Sequence, residues 1–469
     1  MLDLLLKNGV IITVDREHHI YTHGYIGIQD DRIACLGDMD DTPELPDAKT
    51  VIDLEGKPVL PGLVDGHGHA GHGMTRSICG NSADDWESAA ESIYYMYSDE
   101  DFWYTEGALS AMERLKFGVT TAVSMVGNTP RVDDIWPIRA HMQGSLITGI
   151  RQYSGIGTAN EPWPKTARTY HGETYDEYTV TPDKALQTTE EALKQLNGRH
   201  PRGTCIVAPG RMGKRPGYSI EDNILHNRRM YELACMYDQP IHTHAYGGDV
   251  AFLNEHTPEV LDWHLSLTHS TGYSEAELDI LAKSNTYVFH GPTTYSHIIR
   301  RCPVTKMLER GIHVAVITDG SAPDRSFDLW RDMKNVQILQ RYEHSDYSLL
   351  PCGKVLEMVT IEPARALGID HLVGSLETGK KADLIRINTK QPHLTPFIHM
   401  PVERLVQFAM GQDVDLVITD GKIRMQGRTL TDVSEEKILQ DAEEVFERTM
   451  KRFGRTDIFE DPGLYDLRH

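Results

Sequence analysis

Two histidines spaced i, i+2 close the segment Pro61-Gly-Leu-Val-Asp-Gly-His-Gly-His69. Residues two apart on a strand share a face, so an apolar strand ending this way presents two imidazoles together. Paired neutral imidazoles can bind one divalent cation. Taken alone, the pair reads equally well as two histidines flanking a loop glycine. Three further strand-like segments end in groups of the same kind: His242-Thr-His244 after Gln239-Pro240, His269 after Leu265-Ser-Leu-Thr, and Asp319 after Val314-Ala-Val-Ile-Thr. A lone His or Asp at a strand end is usually a satisfied core group; four such ends in one chain point to a shared metal site. His242 lies on the face of His244 but one layer deeper, and is expected to be structural.

The elements that must position these groups alternate. Short apolar strands at Val119–Met125, Gly149–Tyr153, Thr204–Ala208, Pro240–His244, Leu265–His269, Thr286–His290 and Val314–Asp319 are separated by longer helical stretches, and the strand ending near His67 makes eight. Strand alternating with helix implies a parallel sheet, and eight units imply a closed (β/α)₈ TIM barrel with its active site at the C-terminal ends of the strands. Both chain ends are β-rich. Leu4–Asp15 reads as a strand pair broken by the turn dipeptide Asn8-Gly9, and Tyr25–Leu36 as a second pair; Ala382–Ile387 and Val414–Arg424, with an Asp420-Gly421 turn, follow the barrel. The fold class is therefore α/β, a TIM barrel over 59–366 with a small β-sandwich formed from 1–58 and 367–430. A C-terminal helix and tail fill 431–469, with Ser434 as helix cap. The Tyr-, Thr- and Pro-rich stretch 155–200 is expected to form a long loop over the barrel mouth.

Bulk composition narrows the class. With 469 residues, 40% apolar and 25% charged, the chain suits one large and one small globular unit. A net charge of −22 argues against nucleic-acid or anionic-membrane partners. Six scattered cysteines form no CxxC pair and read as reduced thiols. Neither a signal peptide nor a bilayer-length apolar run is evident, so a cytoplasmic protein acting on a small molecule is expected.

Beyond the histidines, the chain carries RLKFGVTT (114–121), THSTGYSEAELDILA (268–282), VITDG (316–320), TIEPARALG (360–368) and GSLETGKKADLIRIN (374–388). In this order, with PGLVDGHGH, they closely resemble the amidohydrolase superfamily over nearly the whole length. The layout is most similar to the branch of cytosine, guanine and adenosylhomocysteine deaminases and triazine hydrolases. The resemblance implies that His67, His69, His244 and Asp319 hold one divalent metal, zinc in the first instance, with iron, manganese or cobalt compatible with three N ligands and one O ligand. It further implies that Asp319 is also the general base and that His269 bonds the metal-bound water or the substrate's carbonyl or leaving group. The bridging Lys or Glu of two-metal relatives has no counterpart at Val207-Ala-Pro-Gly210, and Lys214 beyond it reads as a loop charge, so one metal is expected. Relatives commonly form homo-oligomers.

One departure matters. In the deaminase branch the fifth-strand His is followed three residues later by a Glu that protonates a ring nitrogen; here that position is Gly247. Asp249 is a candidate substitute. Without the ring acid, the expected reaction is hydrolysis of a carbonyl C–N or C–S bond in a small amide, urea, carbamate or thiocarbamate, with phenylurea hydrolases and molinate hydrolase as the nearest functional analogues. The alternative is an aminohydrolase acting on a nucleobase, nucleoside or triazine; a more distant one is a non-catalytic scaffold. His72 and His290 read equally as pocket-lining or as ordinary polar residues. Arg211 reads as the ion-pair partner of a local acid more readily than as a substrate contact.

Overall fold

The alternation of short apolar strands and helices curls into a nearly closed barrel, as expected. The structure, a computed structural model, describes every residue except 43, 81, 127–130, 160, 297–300, 398, 461–464 and 466–469. Eight parallel strands form the barrel in sequence order: β1 Leu63–Asp65, β2 Val119–Met125, β3 Arg151–Ile156, β4 Gly203–Val207, β5 Ile241–Tyr246, β6 Leu265–Thr271, β7 Tyr287–His290 and β8 Val314–Val316. β1 and β8 share no ladder. Side chains link them at the seam instead: buried Asp65 accepts from the Thr318 amide (3.1 Å) and hydroxyl (2.6 Å) and from Arg114 Nε (3.2 Å).

Strands from both chain ends meet in one nine-stranded sheet, the form taken by the β-sandwich read from the sequence. Leu2–Ile12 lies between Ile20–Gln29 and Pro58–Pro61 and also pairs with Ala48–Asp53; Pro58–Pro61 joins Leu384–Ile387, then Val414–Thr419, Lys422–Gln426 and Thr429–Leu430. The apolar residues of this sheet, among them Leu6, Ile11, Ile26, Leu384 and Ile418, pack into a cluster of their own. Asn8-Gly9 proves not to be a hairpin turn. Leu2–Ile12 runs through it as one strand, with a register shift between Leu6 and Gly9 and Asn8 at φ 60°, which is how a bulge uses the same residue types.

A second correction concerns 155–200. Lys165–His171 and Thr174–Val180 form a two-stranded hairpin, and Pro182–Leu196 is a helix capped by Thr181. Thr174-Tyr-Asp-Glu-Tyr-Thr-Val180 is rich in β-branched and aromatic residues that favour a strand, and Thr181-Pro182 is a helix start. The tail helix Glu435–Phe453 begins as read, with Ser434 accepting from the Lys437 amide. No disulfide links any of the six cysteines, and no described helix is long and apolar enough to cross a membrane.

Candidate active site

β1 ends one residue short of the His-Gly-His segment, which continues alongside β2: the Met125 amide donates to Gly68 O (2.7 Å) and the Ala70 amide to Met125 O (3.1 Å). This pairing keeps His67 and His69 in extended register, so both rings enter the barrel mouth. His244 arrives on β5. One nitrogen from each of His67, His69 and His244 lies within 4.8 Å of the others, and all three residues are buried. Asp319, just past β8, brings Oδ1 to 3.2 Å from His67 Nε2 and 3.1 Å from His69 Nε2. His67 Nε2 and Asp319 Oδ1 are nevertheless sealed from solvent without a hydrogen bond of proper geometry. Buried polar atoms are ordinarily satisfied; several aimed at one another without hydrogen-bonding geometry suit a shared cation.

Neighbouring groups orient the imidazoles. His67 Nδ1 lies 2.5 Å from His242 Nε2, which is also 3.1 Å from Thr268 Oγ1; a proton on His67 Nδ1 leaves Nε2 as a lone pair. His244 Nδ1 donates to Gly210 O at 2.8 Å, with the same consequence. His242 thus has the supporting place expected of it, behind His67. Burial, reinforced by neighbouring histidines, draws His244 down to about 4 and His242 to about 3, and holds His67 well below the usual imidazole range. Burial would raise the Asp319 carboxyl, but the Arg325 guanidinium and the adjacent His67 and His69 imidazoles outweigh it and hold it well below the usual carboxylate range. Neutral imidazoles around an ionised carboxylate are the donor set a divalent transition metal takes.

His269 stands beside this group, its ring stacked on His244 at 5.0 Å and on Tyr246 at 5.9 Å. It is neutral, because burial lowers it far more than Asp319 raises it. His269, Ser270 and Asp319 all take left-handed backbone, with φ 69°, 50° and 62°. For residues with side chains this conformation is costly and collects at functional sites.

A cavity of about 510 Å³ opens on these residues. Its wall includes His69, His72, His244, His269 and Asp319, along with Trp86, Tyr246, Arg215 and Arg325, which sequence reasoning missed. Tyr246 could have been found, since it lies two residues beyond His244 on the same strand. Arg325 could not: it reaches 3.5 Å from Asp319 Oδ2 because its Nε and Nη2 donate to Gly320 O and Ala322 O in the loop after β8. His72 is buried in this wall, whereas His290 is buried outside it.

Arg211 pairs with Asp249 as expected, through two bonds of 3.1 and 3.0 Å. Asp249 also accepts from the Tyr246 amide (2.8 Å) and the Lys214 amide (3.0 Å). Wholly buried and engaged on all sides, it anchors the β4 and β5 loops and is not placed to serve as a free acid. At Gly247 an added Cβ would lie 2.3 Å from Gly272 O, so the backbone here has closed over the space a Glu side chain would need.

The turn after His69 is pinned from below. Buried Glu106 accepts from the Gly73 amide (3.0 Å) and lies 3.0 Å from His141 Nε2. Burial would raise Glu106, but the adjacent His141 imidazole overcomes it and brings it down to about 2. A depressed carboxyl contributes stability that is fully present above its unfolded value and lost as pH falls through the folded one. The melting-temperature gap between wild type and Glu106→Gln is therefore expected to narrow as pH drops from about 5 to about 2. A gap constant over that range would show that the charge of Glu106 contributes nothing.

A barrel that brings neutral imidazoles and an ionised carboxylate together at the C-terminal ends of its strands is built to activate water at a divalent cation, and the chain is a metal-dependent hydrolase. Residues 59–424 match the amidohydrolase family, and the chain belongs to it. It is 28% identical to a 5'-deoxyadenosine deaminase of Methanosarcina mazei, over 96% of this chain and 99% of that one. It is 29% identical, over the same shares, to a 5-methylthioadenosine/S-adenosylhomocysteine deaminase of Desulforudis audaxviator. In fold it superposes on a zinc-bound adenosine deaminase from Xanthomonas campestris, with TM-score 0.80, 20% identity and coverage of 96% and 99%. A zinc complex of atrazine chlorohydrolase from Arthrobacter aurescens gives TM-score 0.80, 20% identity and coverage of 94% and 100%.

Proposed function

We propose that this protein is a hydrolytic deaminase that removes the amino group from a nitrogen heterocycle of the adenine-nucleoside kind. The observation that carries this reading is its end-to-end likeness to deaminases named for 5'-deoxyadenosine and methylthioadenosine. The cavity supports it: about 510 Å³, with Trp86 and Tyr246 in its wall, suits a flat ring with an appended sugar. His67, His69, His244 and Asp319 would hold one divalent cation, which when bound supplies Lewis acidity and hydroxide near neutral pH. Asp319, ionised and beside that point, accepts the proton of the attacking water and returns it to the departing amine. His269, neutral and at the same wall, donates a hydrogen bond where negative charge develops.

A second reading is favoured by Gly247. With no carboxyl at that position, hydrolysis of a carbonyl C–N bond in an amide, urea or carbamate needs no ring acid. Ammonia release separates the two. Purified enzyme is expected to liberate ammonia from 5'-deoxyadenosine or adenosine faster than it cleaves anilides, phenylureas or carbamates. Cleavage of the carbonyl substrates with no ammonia from any aminopurine, aminopyrimidine or aminotriazine would overturn the deaminase reading in favour of the second.

A further inference from the structure

Four imidazoles and a phenol form a stacked column along the cavity wall. From His72 to His69, His244, His269 and Tyr246, successive centroids lie 4.9, 5.3, 5.0 and 5.9 Å apart, with interplanar angles of 19°, 18°, 7° and 20°. His69 and His244 occupy the middle and His269 one flank. His72 is the other flank, and no role has yet been given to it.

Its placement is tightly determined. Trp86 meets the His72 ring edge-on at 4.9 Å and is itself fixed by a 2.8 Å bond from Nε1 to Thr75 O. The Nδ1–Cε1 edge lies against Gly320, where an added Cβ would come within 1.8 Å of Nδ1; only glycine after Asp319 admits this ring. His72 Nδ1 is sealed there without a partner. His72 itself lines the cavity, and Nε2, unlike Nδ1, is not sealed. A buried N–H with no acceptor is rare in folded proteins, so the ring proton belongs on Nε2, facing the cavity.

We propose that His72 is a substrate-contacting residue: its Nε2–H donates a hydrogen bond to a heteroatom beside the reacting carbon, from the side of the site opposite His269. For a deaminase this atom is a ring nitrogen, and the bond partly offsets the carboxyl that Gly247 excludes. No proton is transferred; charge is shared through the bond alone. The inference rests on the proposed location of the reacting carbon, beside His69 and Asp319, but not on which C–N bond is cleaved.

The test compares His72→Phe, which keeps a flat ring without a donor, with His72→Gln, which restores an N–H; His72→Leu serves as a second donorless variant if Phe does not fold. Each is assayed on whichever of 5'-deoxyadenosine, adenosine or phenylurea substrates the wild type turns over, so failure of the deaminase reading leaves this test intact. Metal content and calorimetric binding of the reaction product are measured alongside. The donorless variants are expected to keep wild-type metal, lose about 10²-fold in kcat/KM and bind product more weakly, with Gln recovering most of both. Two results would overturn the proposal: donorless variants within about threefold of wild type in both kcat/KM and product binding, or loss of metal, which would make His72 a support for His69.

Discussion

Alanine at His67, His69, His244 or Asp319 is expected to lower turnover by at least about 10³-fold and to leave metal content well below that of wild type. The reason lies in the convergence of one nitrogen from each histidine within 4.8 Å, with Asp319 Oδ1 3.1–3.2 Å from two of them. Removing any one leaves the others short of a tetrahedral set. His269→Asn supplies the contrast. His269 stacks on His244 but belongs to the proposed set only as a donor to substrate, so its loss should cost roughly 10²-fold in turnover with metal content nearly intact. Elemental analysis and kcat on the same preparations check both, and metal loss in His269→Asn would require the ligand set to be redrawn.

The second large effect is on stability. Asp65→Ala is expected to destabilise the protein by about 3–5 kcal/mol, because it removes one partner of a buried ion pair. Arg114 is wholly buried, its guanidinium 3.7 Å from the centre of the Phe327 ring, and Asp65 is its only carboxylate partner among the described residues. The Thr318 amide would lose its acceptor and the Thr318 hydroxyl the shorter of its two bonds, keeping only the one to Asp319 O. The same change frees the backbone next to Asp319, so activity should fall with stability. Denaturant unfolding measures the effect, and a cost below about 1 kcal/mol would mean that the β1–β8 seam is held by other contacts.

Much of this arrangement was legible in the sequence, because periodicity and strand ends carry it. Val119–Met125 was read with its observed bounds, and the eight strands follow in the expected order. His67, His69 and His244 stand at or just past strand ends, where the i, i+2 spacing of extended backbone puts His67 and His69 on one face; Asp319 follows β8 in left-handed backbone, which alternation does not predict. Less legible were features decided by tertiary packing. Asn8-Gly9 has turn chemistry in either context, and only pairing on both sides of Leu2–Ile12 makes it a bulge. The Tyr and Thr content of 155–200 suits a loop and a strand alike, and the pairing of Thr174–Val180 with Lys165–His171 decides for the strand. Arg325 approaches Asp319 through a loop whose course is set by backbone carbonyls, and no spacing rule predicts that. Gly247 was noticed as a missing acid, but the closure of the Gly272 carbonyl over it is a fact of three dimensions. The same packing turns Asp249 from a candidate acid into an anchor for Arg211.

One divalent cation at the His67, His69, His244 and Asp319 cluster is proposed to make this chain a hydrolase. Metal content of purified, fully active wild-type protein, followed through chelation and reconstitution, tests it most directly. The expected result is about one ion per chain, with activity lost and regained in proportion to occupancy. A ratio near two, or full activity in metal-free protein, would contradict it.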